Sequence, residues 1–211
     1  MPKPFNKLTA IAAPIMRGNI DTDVIIRIER LVGNSVRGTL GKWAFGSLRY
    51  LPDGSENPAF ILNREPYRQA EILVTGPNFG CGSSREGAVW SLQEMGIRAI
   101  IGSSFGDIFF ANCFQNGILP IVADKEIVDS LAADVEATQG AGKISIDLET
   151  RTIASPSGKR YTFEIDPRRR EGLLQGFDEV ALTLQRDSEI RAFQAADRAA
   201  RPWIHFARKS A

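Results

Sequence analysis

The amino-acid sequence predicts an α/β fold with a mostly parallel central sheet, on the strength of two observations. First, from residue 71 onward short apolar runs alternate with longer amphipathic segments, the pattern of parallel strands joined by helices. The predicted strands are "EILVTG", "RAIIG" and "ILPIVA", and the predicted helices between them are "REGAVWSLQEMG" and "DIFFANCFQNG". Second, "KISIDLETRTIAS" alternates like a β-hairpin and "RYTFEI" can pair with it, so added hairpin structure is expected beside the parallel core.

The N-terminal part of the chain predicts two strand segments followed by a long loop. Residues 8–26 contain an apolar strand, a polar turn at "RGNIDTD" and a second, β-branched strand segment. Residues 30–60 are rich in Gly and Arg and keep neither the helical nor the strand period, so we expect mostly loop. Loops of this length in compact domains are usually functional or disordered, and the aromatic and basic content of this one favours a function.

The remaining elements are helices, and the whole chain is expected to form one domain. Helices are predicted over "DKEIVDSLAADVEA", "DPRRREGLLQG" and "DSEIRAFQAADRAAR". Gly96 and Gly117 follow the two helices of the alternating region, where a left-handed glycine commonly ends a helix. No repeat or low-complexity linker interrupts the sequence, so a single domain over residues 1–211 is expected.

Composition and charge exclude several classes of function. Lys and Arg number 26 against 25 Asp and Glu, so the net charge of +1 provides no global field for nucleic acid or an anionic membrane. No apolar run approaches the roughly 20 residues that span a bilayer, and we expect a cytoplasmic protein without a nucleic-acid or membrane partner. The two cysteines, Cys81 and Cys113, and the one histidine, His205, are too few for a self-contained metal site or Ser-His-Asp triad.

Residues 78–88, "NFGCGSSREGA", carry the most chemistry in the sequence. They lie between a predicted strand and a predicted helix, where ligands bind in open α/β sheets. Gly82 lets the backbone approach a ligand, and Ser83 and Ser84 are expected to cap the helix and present hydroxyls. Unpaired amides at the helix start and the guanidinium of Arg85 would together attract a carboxylate or a phosphate.

Each of these residues also has a simpler interpretation. A Gly-Ser turn before a helix is common, and Arg85 beside Glu86 can be a surface pair. Cys81 has no evident base nearby in the sequence, so a structural thiol is favoured over a nucleophile, and Cys113 is expected in the core.

Two further candidates lie outside that stretch. Asp21, Thr22 and Asp23 form "DTD", which can be a metal or proton-transfer pair, although an Asx turn before a strand is the simpler explanation. Arg37, in "GNSVRG", is either a second clamp for a carboxylate or a solvated loop residue.

Three motifs taken together resemble the small subunit of 3-isopropylmalate dehydratase. They are "NIDTDVII", "GPNFGCGSSRE" and "GIRAIIGSSFGDIFFANCFQNGILPI", and the similarity runs from about residue 8 to about residue 200, which leaves 201–211 as a tail. The resemblance implies the swivelling β/β/α domain of the aconitase superfamily and a hydro-lyase that interconverts 2- and 3-isopropylmalate through isopropylmaleate in leucine biosynthesis. It further implies that this chain binds no cofactor, and that a large partner subunit, in a heterodimer or heterotetramer, carries a four-iron four-sulfur cluster.

The resemblance also implies roles for individual residues. Ser83 corresponds to the general base that removes a proton next to a carboxylate, while the partner's cluster takes the departing hydroxyl. Ser84 and Arg85 correspond to contacts with a substrate carboxylate, and Arg37 to an arginine on the substrate-selecting loop that holds a second carboxylate. Asp23 corresponds to an acidic residue facing the partner. The expected rim of the shared site adds Asp21, Thr22, Cys81 and Gly82.

The chain departs from the family pattern at three places. The usual "SSREHAPWAL" is "SSREGAVWSL" here, so Gly87 and Val89 stand where His and Pro are expected. After "DTDVII" the usual "PKQFL" is "RIERL", and "RTGFG" is "RGTLG". These changes leave two alternatives open: a dehydratase for another substituted malate, such as citramalate or dimethylmalate, and a non-catalytic anion-binding module. A third alternative is a hydrolase that uses Cys81 as its nucleophile, but the sequence offers no nearby base for this thiol.

Overall fold

A computed structural model describes residues 2–32 and 37–204, and its centre is a seven-stranded sheet in the order β4-β3-β2-β1-β5-β6-β7. The strands are β1 Lys7–Ile15, β2 Ile72–Thr75, β3 Ala99–Gly102, β4 Leu119–Val122, β5 Lys143–Asp147, β6 Thr152–Ala154 and β7 Arg160–Thr162. Strands β1 to β4 are mutually parallel, whereas β5, β6 and β7 extend the sheet from β1 as antiparallel strands. The predicted α/β class, with a parallel core and added hairpin structure, is confirmed. His205 and residues 33–36 lie outside the described residues.

Among the described residues, the five predicted helices are present in the predicted order, together with three short helices that were not predicted. They are α1 Thr22–Ile25, α2 Gly46–Arg49, α3 Glu86–Glu94, α4 Asp107–Gln115, α5 Lys125–Ala137, α6 Pro167–Gln175, α7 Glu179–Leu184 and α8 Asp187–Ala200. Short 3-10 turns lie at Ile28–Arg30, Gly41–Trp43, Ile61–Asn63, Tyr67–Gln69 and Pro202–Ile204. The predicted loop over residues 30–60 is therefore mostly irregular where it is described. In the two described ranges, no helix is long and apolar enough to cross a membrane.

The parallel strands are short and apolar because helices cover both of their faces. Every residue of β2 and β3 is buried. Leu73 points to the face that packs against α3 and α4, whereas its neighbours Ile72 and Val74 point to the face covered by α5. This alternation places α3, and the loop in front of it, on one side of the sheet.

The β-branched segment after "DTD" was predicted as a strand, and that prediction is wrong. It forms α1, a single helical turn, because the Asp21 carboxylate accepts a hydrogen bond from the Val24 amide at 2.8 Å and caps the helix start. The Asx chemistry expected here is present, but it precedes a helix. Ile25 and Ile26 are fully buried by this turn.

The helix ends at the two glycines are confirmed. Gly96 follows α3 with φ +103°, and Gly117 follows the end of α4 with φ +73°. Both values lie in the left-handed region, where glycine has no steric penalty.

Candidate functional site

The loops that follow β1 and β2 lie side by side, because these strands are adjacent and parallel. Three backbone hydrogen bonds join the loops: the Asn19 amide to the Pro77 carbonyl at 2.9 Å, the Gly80 amide to the Ile20 carbonyl at 2.7 Å, and the Thr22 amide to the Cys81 carbonyl at 2.9 Å. The segments "DTD" and "GCGSSRE", separate in the sequence, therefore meet at one edge of the sheet.

Side chains continue the junction between these two segments. The Thr22 hydroxyl donates to the Ser83 carbonyl at 2.9 Å, and the Asp23 carboxylate pairs with the guanidinium of Arg85. The Arg85 side chain is 17% exposed, against 52% for Asp23. The predicted base and its arginine are thus held in place by the "DTD" segment.

Asp21 and Gly82 complete the junction. A Cβ atom at Gly82 would lie 3.3 Å from the Cβ of Asp21, so the two loops are in close contact here. The Asp21 carboxylate caps α1 and the Asp23 carboxylate pairs with Arg85. These partners account for both carboxylates without a metal ion. Every residue that the sequence predicts for the rim is therefore found in this one place.

The start of α3 differs from the prediction. Ser83 and Ser84 do not cap the helix, because the N-cap residue is Arg85, in extended conformation and without a side-chain cap bond. Both serines are exposed. The backbone amides of residues 83–87 donate to no acceptor within the described ranges. Together with the positive end of the α3 dipole, these amides leave a set of donors open to an anion.

Arg37 contacts α3 and the residue that follows α4. Its Nη2 donates to the side-chain oxygen of Asn116 at 2.9 Å, and its guanidinium carbon lies 4.7 Å from the ring centre of Trp90. Arg37 and Arg85 both line one cavity of about 220 Å³. Its other walls are formed by Leu31, Leu40, Glu86, Gly87 and Trp90. The two predicted substrate-binding arginines therefore meet at one largely apolar cavity, although Ser83 and Ser84 are not part of its lining.

A larger cavity, of about 780 Å³, is lined by α6, α7 and α8 and includes none of the residues predicted for the site. Its walls carry no cluster of nucleophilic groups. We therefore place the candidate site at the loop before α3.

Two residues that support the Arg37 loop are not predicted from the sequence. Asn116 is 4% exposed and contacts Arg37, which precedes it by 79 positions. Glu94 accepts hydrogen bonds from the amides of Gly38 at 2.6 Å and Gly41 at 3.0 Å. No local pattern marks either residue, because their partners are far away along the chain.

The cysteines do not form a metal centre. Cys113 is fully buried, and burial raises the pKa of its thiol well above the ordinary range, so its place in the core is confirmed. Cys81 is half-buried, and its carbonyl is bonded to Thr22. An iron–sulfur cluster is held by three or four cysteine thiolates, and no three metal-ligating side chains gather within the described ranges. The donors of this chain do not fit such a cluster.

Comparison with known proteins identifies the family. The family model for the aconitase C-terminal domain matches residues 2–126. The LeuD_N model matches residues 129–167, and the model for the C-terminal domain of the 3-isopropylmalate dehydratase small subunit matches residues 179–207. A protein of Gluconacetobacter diazotrophicus named 3-isopropylmalate dehydratase small subunit is 51% identical over 199 residues, which cover 94% of this chain and 95% of that protein. The chain belongs to the 3-isopropylmalate dehydratase small-subunit family.

Other members of this family agree in name and in fold. A Paracoccus denitrificans protein also named 3-isopropylmalate dehydratase small subunit is 47% identical over 200 residues, covering 95% of this chain and 98% of that protein. The crystal structure of a 3-isopropylmalate dehydratase from Methanocaldococcus jannaschii superposes with a TM-score of 0.63 at 24% identity, covering 89% of this chain and 99% of that one. The fold implied by the resemblance is thereby confirmed.

Proposed function

We propose that this chain is the small subunit of a 3-isopropylmalate dehydratase, which interconverts 2- and 3-isopropylmalate by dehydration and rehydration in leucine biosynthesis. The observation that carries the proposal is the junction between the "GCGSSRE" loop and "DTD" in a chain of this family. Its partner is a large subunit that brings the iron–sulfur cluster, since the donors of this chain do not fit one. Family membership favours this function over that of a dehydratase for another substituted malate, and over that of a non-catalytic anion-binding module.

Ser83 is the group that moves the proton. Its hydroxyl is exposed on the loop that meets the start of α3. A serine is a weak base unless its alkoxide is stabilised, and positive potential from the open amides of residues 83–87 and from Arg85 supplies that stabilisation. Ser83 removes a proton from the carbon next to a substrate carboxylate and returns it in the reverse direction. The partner's cluster supplies the Lewis acid when it is bound.

The other site residues bind and orient the dicarboxylate. We assign one substrate carboxylate to Ser84 and Arg85 and the second to Arg37. The cavity that both arginines line supports this assignment, since its apolar walls suit a branched alkyl substituent. Asp23 holds the guanidinium of Arg85 in place.

The rest of the junction forms the surface that meets the large subunit. We assign Asp21, Thr22, Cys81 and Gly82 to the rim of the shared site, because they join the two loops behind Ser83. The chain acts as one domain over residues 1–211. We place the complex in the cytoplasm, where its thiols stay reduced.

The test is turnover by a reconstituted complex. This chain, co-purified with a large subunit of the same family and loaded with the cluster under anaerobic conditions, is expected to convert both isopropylmalates, whereas the chain alone is inactive. Formation of isopropylmaleate is followed by the ultraviolet absorbance of its double bond. Ser83→Ala should lower kcat by about 100-fold or more. Ser188 is also an exposed serine, so Ser188→Ala is the control and should have the kcat of the wild type.

Two results would contradict the proposal. If the wild-type complex converts neither isopropylmalate, the substrate is wrong. If Ser83→Ala turns over at the wild-type rate, Ser83 is not the base.

A further inference from the structure

We propose that Asn116 is a positioning residue for Arg37: its side-chain amide holds the guanidinium over Trp90, at the cavity that Arg37 shares with Arg85. This inference rests on the proposed function, which assigns Arg37 a substrate carboxylate. Asn116 follows α4 immediately, and its own side chain is not part of that cavity's lining.

The Asn116 amide has its full set of hydrogen-bond partners. Its oxygen accepts from Arg37 Nη2 at 2.9 Å and from the indole Nε1 of Trp90 at 3.1 Å. Its nitrogen donates to Glu86 Oε1 at 2.9 Å and to the Asn112 carbonyl at 2.9 Å. An amide offers two acceptor sites and two donors. Two donors face its oxygen and two acceptors face its nitrogen, so only one orientation of the amide satisfies this environment.

These contacts link three separate parts of the site. Glu86 is the first residue of α3, directly after Arg85, and Trp90 lies one turn further along that helix. Asn112 belongs to α4. Because Asn116 is almost fully buried, the group that Arg37 contacts is itself immobile. The position of the Arg37 guanidinium is thereby fixed relative to the helix that begins at the catalytic loop.

Arg37 benefits from this support because it is a long, exposed side chain. An unrestrained arginine loses considerable rotamer entropy when it binds a ligand, and prior fixation removes that cost from binding. The bond to Asn116 uses one of the five N–H donors of the guanidinium, so the same group can also meet a carboxylate. The face of the guanidinium that stacks on Trp90 is distinct from the edge that carries these donors.

The backbone next to Arg37 is held separately. The Glu94 carboxylate accepts from the amides of Gly38, Leu40 and Gly41, at 2.6, 2.5 and 3.0 Å. Since Glu94 fixes the loop backbone, removal of the Asn116 amide is expected to release the side chain of Arg37 without releasing the loop.

Kinetics of the reconstituted complex provide the first test. Asn116→Ala should raise KM for isopropylmalate roughly tenfold, the effect of one hydrogen bond to a charged group, with little change in kcat. Gln93→Ala is the matched control, because Gln93 donates to the backbone carbonyl of Asn116 at 2.6 Å and leaves the amide contacts intact. It should leave KM unchanged.

A double-mutant cycle separates positioning from general stability. If Asn116 acts through Arg37, then Asn116→Ala should have no further effect on KM in an Arg37→Ala background. Independent, multiplicative effects of the two substitutions would overturn the proposal.

A second variant covers the case in which the buried alanine substitution prevents folding. Asn116→Asp keeps the oxygen that faces Arg37 and Trp90 but places a second carboxylate against Glu86. Its KM should rise, and the double variant N116D/E86Q, in which donor and acceptor exchange sides, should recover part of the loss. No recovery would overturn the proposal.

Chemical modification tests the positioning without catalysis. Phenylglyoxal should modify Arg37 several-fold faster in Asn116→Ala than in wild type, because a guanidinium held by a hydrogen bond and a stacked ring is less available. Peptide mass spectrometry of the isolated chain measures the rate. Arg85 is the internal control and should react at an unchanged rate. An unchanged rate at Arg37 would refute the positioning role, whereas failure of the wild-type complex to use isopropylmalate would refute only the proposed function.

Discussion

Leu31 packs directly onto the backbone of Gly87. A Cβ atom at Gly87 would lie 2.5 Å from Cδ2 and 2.7 Å from Cδ1 of Leu31, closer than any unstrained contact. Gly87 stands where the family pattern has His, whereas Leu31 ends "RIERL" and matches the last residue of the usual "PKQFL". The space beside α3 that a larger residue would need at position 87 is therefore occupied by Leu31.

This contact predicts a coupled response to substitution. In wild type, Gly87→Ala should be neutral or destabilising, because the gain of about 1 kcal/mol from replacing a helical glycine is offset by the displacement of Leu31. In a Leu31→Ala background, the same substitution should be more favourable by about 1–2 kcal/mol. Urea unfolding of the four proteins in the cycle measures this difference, and simple additivity would show that the two residues are not coupled.

The ion pair between Arg85 and Asp23 predicts that a lysine, which keeps the charge, cannot replace the planar guanidinium of Arg85. Arg85→Lys keeps the positive charge but loses the planar fork that can bind two carboxylates, so KM for isopropylmalate should rise about tenfold or more. The free energy of unfolding should change by less than about 1 kcal/mol, because Asp23 is half exposed and such pairs contribute little stability. Wild-type KM in Arg85→Lys would indicate that the site needs only a point charge.

The strands and helices of residues 71–137 could be predicted because their signals are local. Each apolar run or amphipathic segment ends at a glycine or a polar residue that is visible in the sequence, as at Gly96 and Gly117. The strand predicted after "DTD" was wrong, because capping and burial outweigh strand propensity there. Ile25 and Ile26 have strand propensity, but the cap from Asp21 and burial of the turn decide for a helix.

In the candidate site, too, local signals could be predicted and contacts between distant positions could not. The residue types at "GSSRE" predict an anion site, and the structure gathers them with the "DTD" segment. The Ser83 carbonyl accepts from Thr22, 61 positions earlier, and the helix then starts only after Arg85. Asn116 contacts Arg37 from 79 positions away along the chain, and Glu94 contacts the backbone of the Arg37 loop from more than 50 positions away. No sequence period encodes contacts at such separations.

The backbone of the loop before α3 predicts a strong effect of a small substitution. Gly80 has φ +72°, and a Cβ atom there would lie 2.2 Å from Cγ of the buried Phe109 ring. Gly80→Ala should therefore destabilise the protein by about 3 kcal/mol or more, through overpacking added to backbone strain. Gly158→Ala is the matched control, since Gly158 has φ +87° but nothing lies within 4 Å of its Cβ position.

The control isolates the collision from the backbone strain. Gly158→Ala should cost only about 1–2 kcal/mol, as measured by urea unfolding. Equal losses in the two variants would mean that Phe109 moves aside freely. Restoration of stability by Phe109→Ala in the Gly80→Ala background would confirm that the ring is the obstacle.

The hydrogen bonds of Asp134, which lies on α5, predict how the stability of the fold depends on pH. The Asp134 carboxylate accepts hydrogen bonds from the Ser157 hydroxyl at 2.6 Å and from the Lys159 ammonium at 3.2 Å. These donors, Ser157 above all, hold the pKa of Asp134 below its ordinary value. A carboxyl whose pKa is lower in the folded state stabilises the fold above its unfolded pKa, and this contribution is lost as the pH falls through the folded pKa.

Removal of this carboxylate should therefore weaken the acid sensitivity of the fold. Asp134→Asn should lower the free energy of unfolding at about pH 7, and this effect should shrink as the pH falls through the folded pKa and the wild-type carboxyl becomes protonated. Ser157→Ala removes the main cause of the shift and should give the same trend with a smaller amplitude. Urea midpoints across this pH range measure both effects, and an Asp134→Asn deficit that is constant at every pH would assign the loss to packing rather than to the ionised carboxylate.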